Sequence, residues 1–171
     1  DDDLEQAERD ALAAAGRTTP EFTSEQRDVL DRLMNWAQVA ADKPDAKTSK
    51  LIEWLEQIVR PGGEWNDERV IIFTEYRATQ DYIMEQLASR EFAEGGRLET
   101  MYGGMDLDQR EKIKQAFQAH PREKGAEVRI LLATDTASEG IDLQNHCSKL
   151  IHVEIPWNPN VMEQRNGRID R

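Results

Sequence analysis

The chain is poor in the residues that cross-link a small fold or bind metal. Its 171 residues include one cysteine, Cys147, and three histidines. A lone thiol cannot close an internal disulfide, and the scattered histidines offer no metal-ligand spacing, so no metal ligand is assigned. Cys147 is expected to be a buried structural thiol. No apolar run approaches the roughly 20 residues that a membrane-spanning helix needs. The first ten residues, DDDLEQAERD, lack the basic-then-apolar pattern of a secretory signal, and a cytoplasmic setting with no membrane partner is the expectation. Basic charge is scarce too: the formal net charge is -12. Of the 34 acidic and 22 basic side chains, 12 and 5 fall in residues 1–46, a local net of -7 that leaves -5 for residues 47–171. That balance opposes strong non-specific binding to nucleic acid, which draws on Lys and Arg, although a local basic groove can survive it.

Several signatures are missing as well. There is no G-x-x-x-x-G-K-S/T phosphate loop, no G-x-G-x-x-G dinucleotide fingerprint and no G-x-S-x-G elbow. Asp67-Glu68 precedes its strand, whereas an acidic pair that holds Mg²⁺ belongs just after one, so it reads as a turn. A complete active site is therefore not expected within these residues.

What the sequence does contain is strand-helix alternation. Continuous apolar runs at Val70–Phe73, Leu98–Tyr102, Val128–Thr134 and Leu150–Ile155 have the form of strands buried on both faces of a parallel sheet. Between them lie helical patterns, with Tyr82, Ile83, Met84 and Leu87 after the first run and Ile113, Ala116 and Phe117 after the second. Two helices precede the sheet. One starts at Ser24 as N-cap and carries Val29, Leu30, Leu33, Met34, Trp36, Ala37 and Ala40; the other starts at Thr48 or Ser49 and carries Leu51, Ile52, Trp54, Leu55, Ile58 and Val59. Residues 1–20 or so read as a linker or frayed helix. The expectation is an open α/β sheet over 47–171, preceded by an acidic helical extension over 1–46.

Such a sheet binds ligands beyond the carboxyl ends of its strands. After the first run, TEYRATQ offers Thr74 and Arg77. After the second, YGGMDLDQREKIKQAF offers a glycine turn at Gly103 and Gly104, Asp106 as a helix cap, and Arg110. After the third, TDTASEGIDLQ sets small and hydroxyl side chains where backbone amides can approach an anion, with Asp142 able to accept from ribose hydroxyls. After the fourth, IPWNPNVMEQRNGRIDR permits a helix capped by Asn160 that presents Gln164, Arg168 and Arg171 on one face. Two guanidiniums on one face suit a phosphate undergoing transfer. Taken singly, each loop is also explained by ordinary turns and solvated helices.

Taken in order, the loops resemble the C-terminal, second RecA-like domain of superfamily 2 helicases. VIIFTEYRAT resembles motif four, YGGMDLDQR the glycine turn and arginine that follow, ILLATDTASEGIDLQ motif five, and EQRNGRIDR motif six, Q-x-x-G-R-x-x-R. The run PWNPNVMEQRNGRIDR, with Gln164 rather than histidine, resembles the Swi/Snf-like subgroup, and with Ser138-Glu139-Gly140 looks closest to the bacterial RNA-polymerase-associated Swi/Snf-like ATPases. Glu139 and Leu107 stand where DEAD-box members carry arginine and glutamine, which favours double-stranded DNA over DEAD-box-style RNA contacts. The resemblance implies a RecA-like, mainly parallel sheet with helices on both faces. It implies Arg171 as the arginine finger and Arg168 as a second γ-phosphate ligand, with Gln164, Gly140 and Asp142 on the nucleotide side. Thr134, Ser138, Arg110, Gly103, Thr74 and Arg77 would lie towards nucleic acid. ATP and Mg²⁺ would be held mainly by a first RecA-like domain, which is itself an implied partner, as is a larger DNA-associated complex. The implied activity is ATP-dependent translocation in a nucleoid-associated protein, with these residues inactive by themselves. A non-catalytic RecA-like module that holds a protein partner is the alternative.

Overall fold

Four short strands, β1 (Val70–Thr74), β2 (Leu98–Met101), β3 (Ile130–Thr134) and β4 (Lys149–His152), form one sheet in the order β2-β3-β1-β4, and every neighbouring pair is parallel. The structure, a computed structural model, describes residues 22–41, 43–135 and 146–169. The stretch read above as a linker or frayed helix lies outside them. The chain divides into two compact units, Asp1–Lys43 and Pro44–Arg171.

In the first unit, α1 (Ser24–Ala41) is opened one residue earlier than its sequence suggests. Thr23 rather than Ser24 is the cap: its hydroxyl accepts from Gln26 N while its own amide donates to Gln26 Oε1. This reciprocal exchange satisfies two amides at once, which a cap at Ser24 would not.

In the second unit, side-chain alternation along the strands sends residues to two opposite cores. Val70, Ile72, Ile130, Leu132 and Leu98 face α2 (Ala46–Val59) and α3 (Arg77–Ala88) through Leu51, Ile52, Leu55, Val59, Ile83 and Leu87. Ile71, Phe73, Leu131, Ala133 and Met101 face α4 (Leu107–Gln118) through Ile113 and Phe117. The sheet is thus covered on both sides, as its unbroken apolar runs require. Burying each such aliphatic side chain contributes roughly 1.5–3 kcal/mol relative to leaving it exposed.

The element ends differ from the sequence reading for local reasons. Helix α2 begins at Ala46 because Asp45 is its cap, accepting from Thr48 N at 2.7 Å, so Thr48 lies inside the first turn. Strand β3 starts at Ile130 rather than Val128, because the amides of Arg129 and Ile130 share one acceptor, Arg97 O, and the ladder begins only after them. Strand β4 stops at His152 rather than Ile155. Val153 N still reaches Phe73 O at 2.8 Å, but Glu154 then turns aside to hold Thr74 and Glu75.

The amino ends of the strands are closed by two buried arginines. Arg69 donates to the carbonyls of Val128, Ala116 and Ala126, and its guanidinium lies over the Phe117 ring. Arg129 donates to Asn66, Ala126, Val128 and Pro121 carbonyls. Burial lowers the pKa of both. Asp67 pairs with Arg122 at 3.3 Å and Glu68 with Lys149, so both acids of the Asp67-Glu68 turn serve the fold.

Cys147 lies buried beneath this layer, its Sγ 3.4 Å from the carbonyl oxygens of both Arg69 and Lys149. Burial pushes its thiol up to about 11 from 9.0. The native state then holds a proton that the unfolded chain releases, so this group stabilises the fold below pH 9 and that contribution fades as pH rises towards 11. Urea unfolding should show wild type losing up to about 2–3 kcal/mol more stability between pH 8.5 and 11 than Cys147→Ser loses. Parallel pH profiles for the two chains would contradict this account of the thiol.

Candidate functional site

The carboxyl ends of the four strands are joined by two polar networks. The first centres on α5 (Pro159–Asn166), which Asn158 caps by accepting from Asn160 N, with Pro159 in the first turn. Asn158 therefore takes the capping role read above for Asn160. Pro159 needs no amide partner, which suits it to that place.

Arg165 points inward from α5 and is only 2% exposed. Its Nε donates to Asp135 Oδ1 at 2.5 Å and its Nη2 to Asp135 Oδ2 at 2.7 Å, a two-pronged ion pair across to the residue that follows β3. Nη1 donates to Glu154 O at 3.1 Å and faces His152 Nδ1 at 3.3 Å, while the guanidinium lies 5.5 Å from the centre of the Phe73 ring. Four of the five N–H groups are thereby answered, which a buried guanidinium needs if its desolvation is to be offset. The Glu154 carboxylate extends the network to β1, accepting from the Thr74 hydroxyl at 3.2 Å and from Glu75 N at 3.1 Å.

The second network centres on Gln80, buried in the first turn of α3. Its amide nitrogen donates to Met101 O at 3.0 Å and Leu132 O at 2.8 Å, tying β2 to β3. Its amide oxygen accepts from Arg77 Nη1 at 2.9 Å. Arg77 is thereby laid across Tyr102, 3.5 Å from the ring centre, and also pairs with Asp81 at 3.2 Å.

Of the residues singled out in the sequence, Thr74 and Thr134 are paired in register at the ends of β1 and β3 and are buried. The Thr74 hydroxyl is engaged by Glu154. Arg77 and Gly103 share the rim around Tyr102, and Gly103 is exposed. The turn there is closed by Met105 N on Tyr102 O, and the left-handed position belongs to Gly104, at φ 83°. Arg110 stands in the first turn of α4, whose cap, Asp106, accepts from Asp108 N and Gln109 N. Gln164 is exposed on α5 and Arg168 is half-buried. The helix that carries Gln164 ends at Asn166, and Arg168 follows in a turn in which Arg168 N and Ile169 N donate to Arg165 O and Asn166 O in tighter three-residue bonds. Ser138, Gly140, Asp142 and Arg171 lie outside the described residues.

Sequence reasoning missed Arg165, Asp135, His152, Glu154 and Gln80. One signal was available: Arg165 is four residues after Val161, and so shares a face of α5 with that apolar residue. Replacing Gln80 with leucine should leave Met101 O and Leu132 O unanswered in the interior and lower the unfolding free energy by about 2–3 kcal/mol. Urea denaturation checks this, and a loss below about 0.5 kcal/mol would show that the amide adds little to the β2–β3 ladder.

Comparison with known proteins places this arrangement. Residues 47–171 match the family model described as the helicase conserved C-terminal domain. An uncharacterised ATP-dependent helicase of Bacillus subtilis (strain 168), YqhH, is 38% identical over 105 residues, covering 61% of this chain and 17% of that protein. The RNA polymerase-associated protein RapA of Proteus mirabilis (strain HI4320) is 32% identical over 120 residues, covering 70% of this chain and 11% of that protein. Among solved structures, the C-terminal part of the Fun30 ATPase domain superposes with a TM-score of 0.61 at 17% identity, covering 85% of this chain and 46% of that one, a likeness of fold. The Escherichia coli DEAD-box protein SrmB superposes with a TM-score of 0.55 at 25% identity, covering 73% of this chain and 63% of that one.

Proposed function

We propose, for a chain that belongs to the helicase conserved C-terminal domain family, that residues 47–171 are the second motor half of an ATP-dependent DNA translocase. The chain spans 17% of the Bacillus relative and 11% of the Proteus one, so the motor as a whole includes parts beyond these residues. Residues 1–46 act in this reading as an acidic helical extension ahead of the motor half. The observation that carries the proposal is the Arg165–Asp135 fork. It fastens Asp135, the residue next to Thr134 at the end of β3, to the helix that carries Gln164 and precedes Arg168 in the chain. A translocase needs such a joint, because nucleotide state has to be felt at the track.

The side chains gathered at the carboxyl ends suit phosphate more than metal. Arg77, Arg168 and Gln164 are donors, and guanidinium forks match phosphate oxygens. In this reading ATP is the substrate, and Mg²⁺ and the phosphate-binding loop belong to a first RecA-like domain. When the two halves close, Arg171 and Arg168 neutralise charge developing on the transferred phosphoryl group, Gln164 helps to hold the nucleotide, and Asp142 and Gly140 meet its ribose side. Thr134, Ser138, Arg110, Gly103, Thr74 and Arg77 form the side facing the nucleic-acid backbone, with Thr74 acting through Glu154 and the end of β1. Opening after hydrolysis shifts this side along double-stranded DNA. The Proteus relative is named as RNA polymerase-associated, and in this reading the present chain likewise works within a larger complex.

In the full-length protein, Arg171→Ala should reduce DNA-stimulated ATP turnover by about two orders of magnitude or more while leaving nucleotide binding near wild type. The purified 171-residue chain should not hydrolyse ATP. Near-normal turnover by the variant, or ATPase activity from the chain alone, would overturn the assignment; retained partner binding with no effect on turnover would favour a non-catalytic module.

A further inference from the structure

His152, the last residue of β4, is held on three sides. Its ring stacks on Phe73, with centroids 6.5 Å apart and planes 25° from parallel. Nδ1 faces Arg165 Nη1 at 3.3 Å, and Nε2 lies 3.0 Å from Asn166 Oδ1. These contacts fix the tautomer. A guanidinium only donates, so Nδ1 must offer its lone pair, and the ring proton must then sit on Nε2 and donate to the amide oxygen. Turning the Asn166 amide over would set its NH₂ against that proton, so one orientation alone satisfies the set.

We propose that His152 is a proton-responsive positioning residue: the Nδ1 lone pair of its neutral Nε2–H form holds Arg165 in the fork to Asp135, and a second ring proton takes that lone pair and ends this hold while leaving Nε2–H on Asn166. The sign follows from the donors. Protonated Nδ1 would point an N–H at Arg165 Nη1, so the joint needs the neutral ring. The charged groups around the ring do not reverse this. Arg165 on α5 faces it directly. Asp135, in the loop after β3, is committed to Arg165, and the Glu154 carboxylate is committed to Thr74 and Glu75. From α2, Lys47 and Lys50 line a groove with Ile151 and Val153 on the other face of the sheet from Phe73. The turn that leads to Arg168 starts from Arg165 O, so the released state loosens the base of that arginine. The consequence for ATP turnover rests on the function proposed above, whereas the lock itself does not.

NMR on the isotopically labelled 171-residue chain tests the lock without nucleotide. At pH 8 the ring nitrogens should report the Nε2–H tautomer. On acidification from pH 8 to 5 the Arg165 Nε–H signal should move together with the His152 ring signals, and its exchange, corrected for intrinsic pH dependence, should accelerate at least about tenfold. His152→Asn supplies an acceptor near Nδ1 that does not titrate, and should keep Arg165 protected at both pH values. Three results would overturn the proposal: an Nδ1–H tautomer at pH 8, an Arg165 signal indifferent to pH in wild type, or the same pH response in His152→Asn. Should that variant fail to fold, Asn166→Leu removes the acceptor of Nε2–H instead. A measurable Nδ1–H population should then appear, and an unchanged tautomer ratio would also overturn the proposal. In full-length protein, His152→Asn should flatten the acid limb of the kcat profile and leave KM for ATP unchanged. If the NMR lock is found but turnover does not follow it, the functional reading fails and the lock stands.

Discussion

A guanidinium without access to water has to be answered on nearly every side, and the carboxyl half of this domain is arranged around one that is. Arg165 takes both oxygens of Asp135, the carbonyl of Glu154 and a ring nitrogen of His152, and it lies over Phe73. Removing any one of these leaves a buried donor unpaired, at a cost of about 1–3 kcal/mol or more for a charged group. The partners come from the end of β1, the loop after β3, the end of β4 and α5, so satisfying one side chain fixes the relative placement of four segments. Specificity of arrangement, more than net stability, is what such a pair supplies, since well-packed apolar substitutes often match it in energy.

The opposite end of the sheet solves the same problem without an acid at its centre. Arg69 and Arg129 are buried among main-chain carbonyls, and the nearest carboxylate, Asp67, is 3.8 Å from Arg129 and largely exposed. Those arginines close the amino ends of the strands and cap carbonyls near the end of α4. Paired charge and exposed donors lie at the carboxyl ends, which is where an open α/β sheet presents its ligand-binding loops.

Much of this was legible in the sequence, and the rest was hidden for definite reasons. The four strands were visible because burial on both faces removes polar residues from them, as in Val70–Phe73. The helices were visible by period, yet their first residues were displaced wherever two side chains in succession can cap: Thr23 beside Ser24, Asp45 ahead of Thr48, Asn158 ahead of Asn160. Which of them caps depends on backbone dihedrals that composition does not carry. Spacing singled out Gln164, Arg168 and Arg171 and passed over Arg165. Burial of an arginine is decided by an acid 30 residues away in the chain, and Asp135 reads locally as a helix cap. Gln80 was hidden likewise, as its partners are main-chain carbonyls of two other strands.

The central claim is that the carboxyl end of β3 and α5 act as one piece because Arg165 and Asp135 join them. A double-mutant cycle in urea unfolding, built from Arg165→Met, Asp135→Asn and the pair, measures that joint directly. The account predicts a coupling of roughly 1.5–3 kcal/mol, with the double variant far less damaged than the sum of the singles. Additivity within about 0.5 kcal/mol would mean that the two segments are held independently, and the account would be wrong.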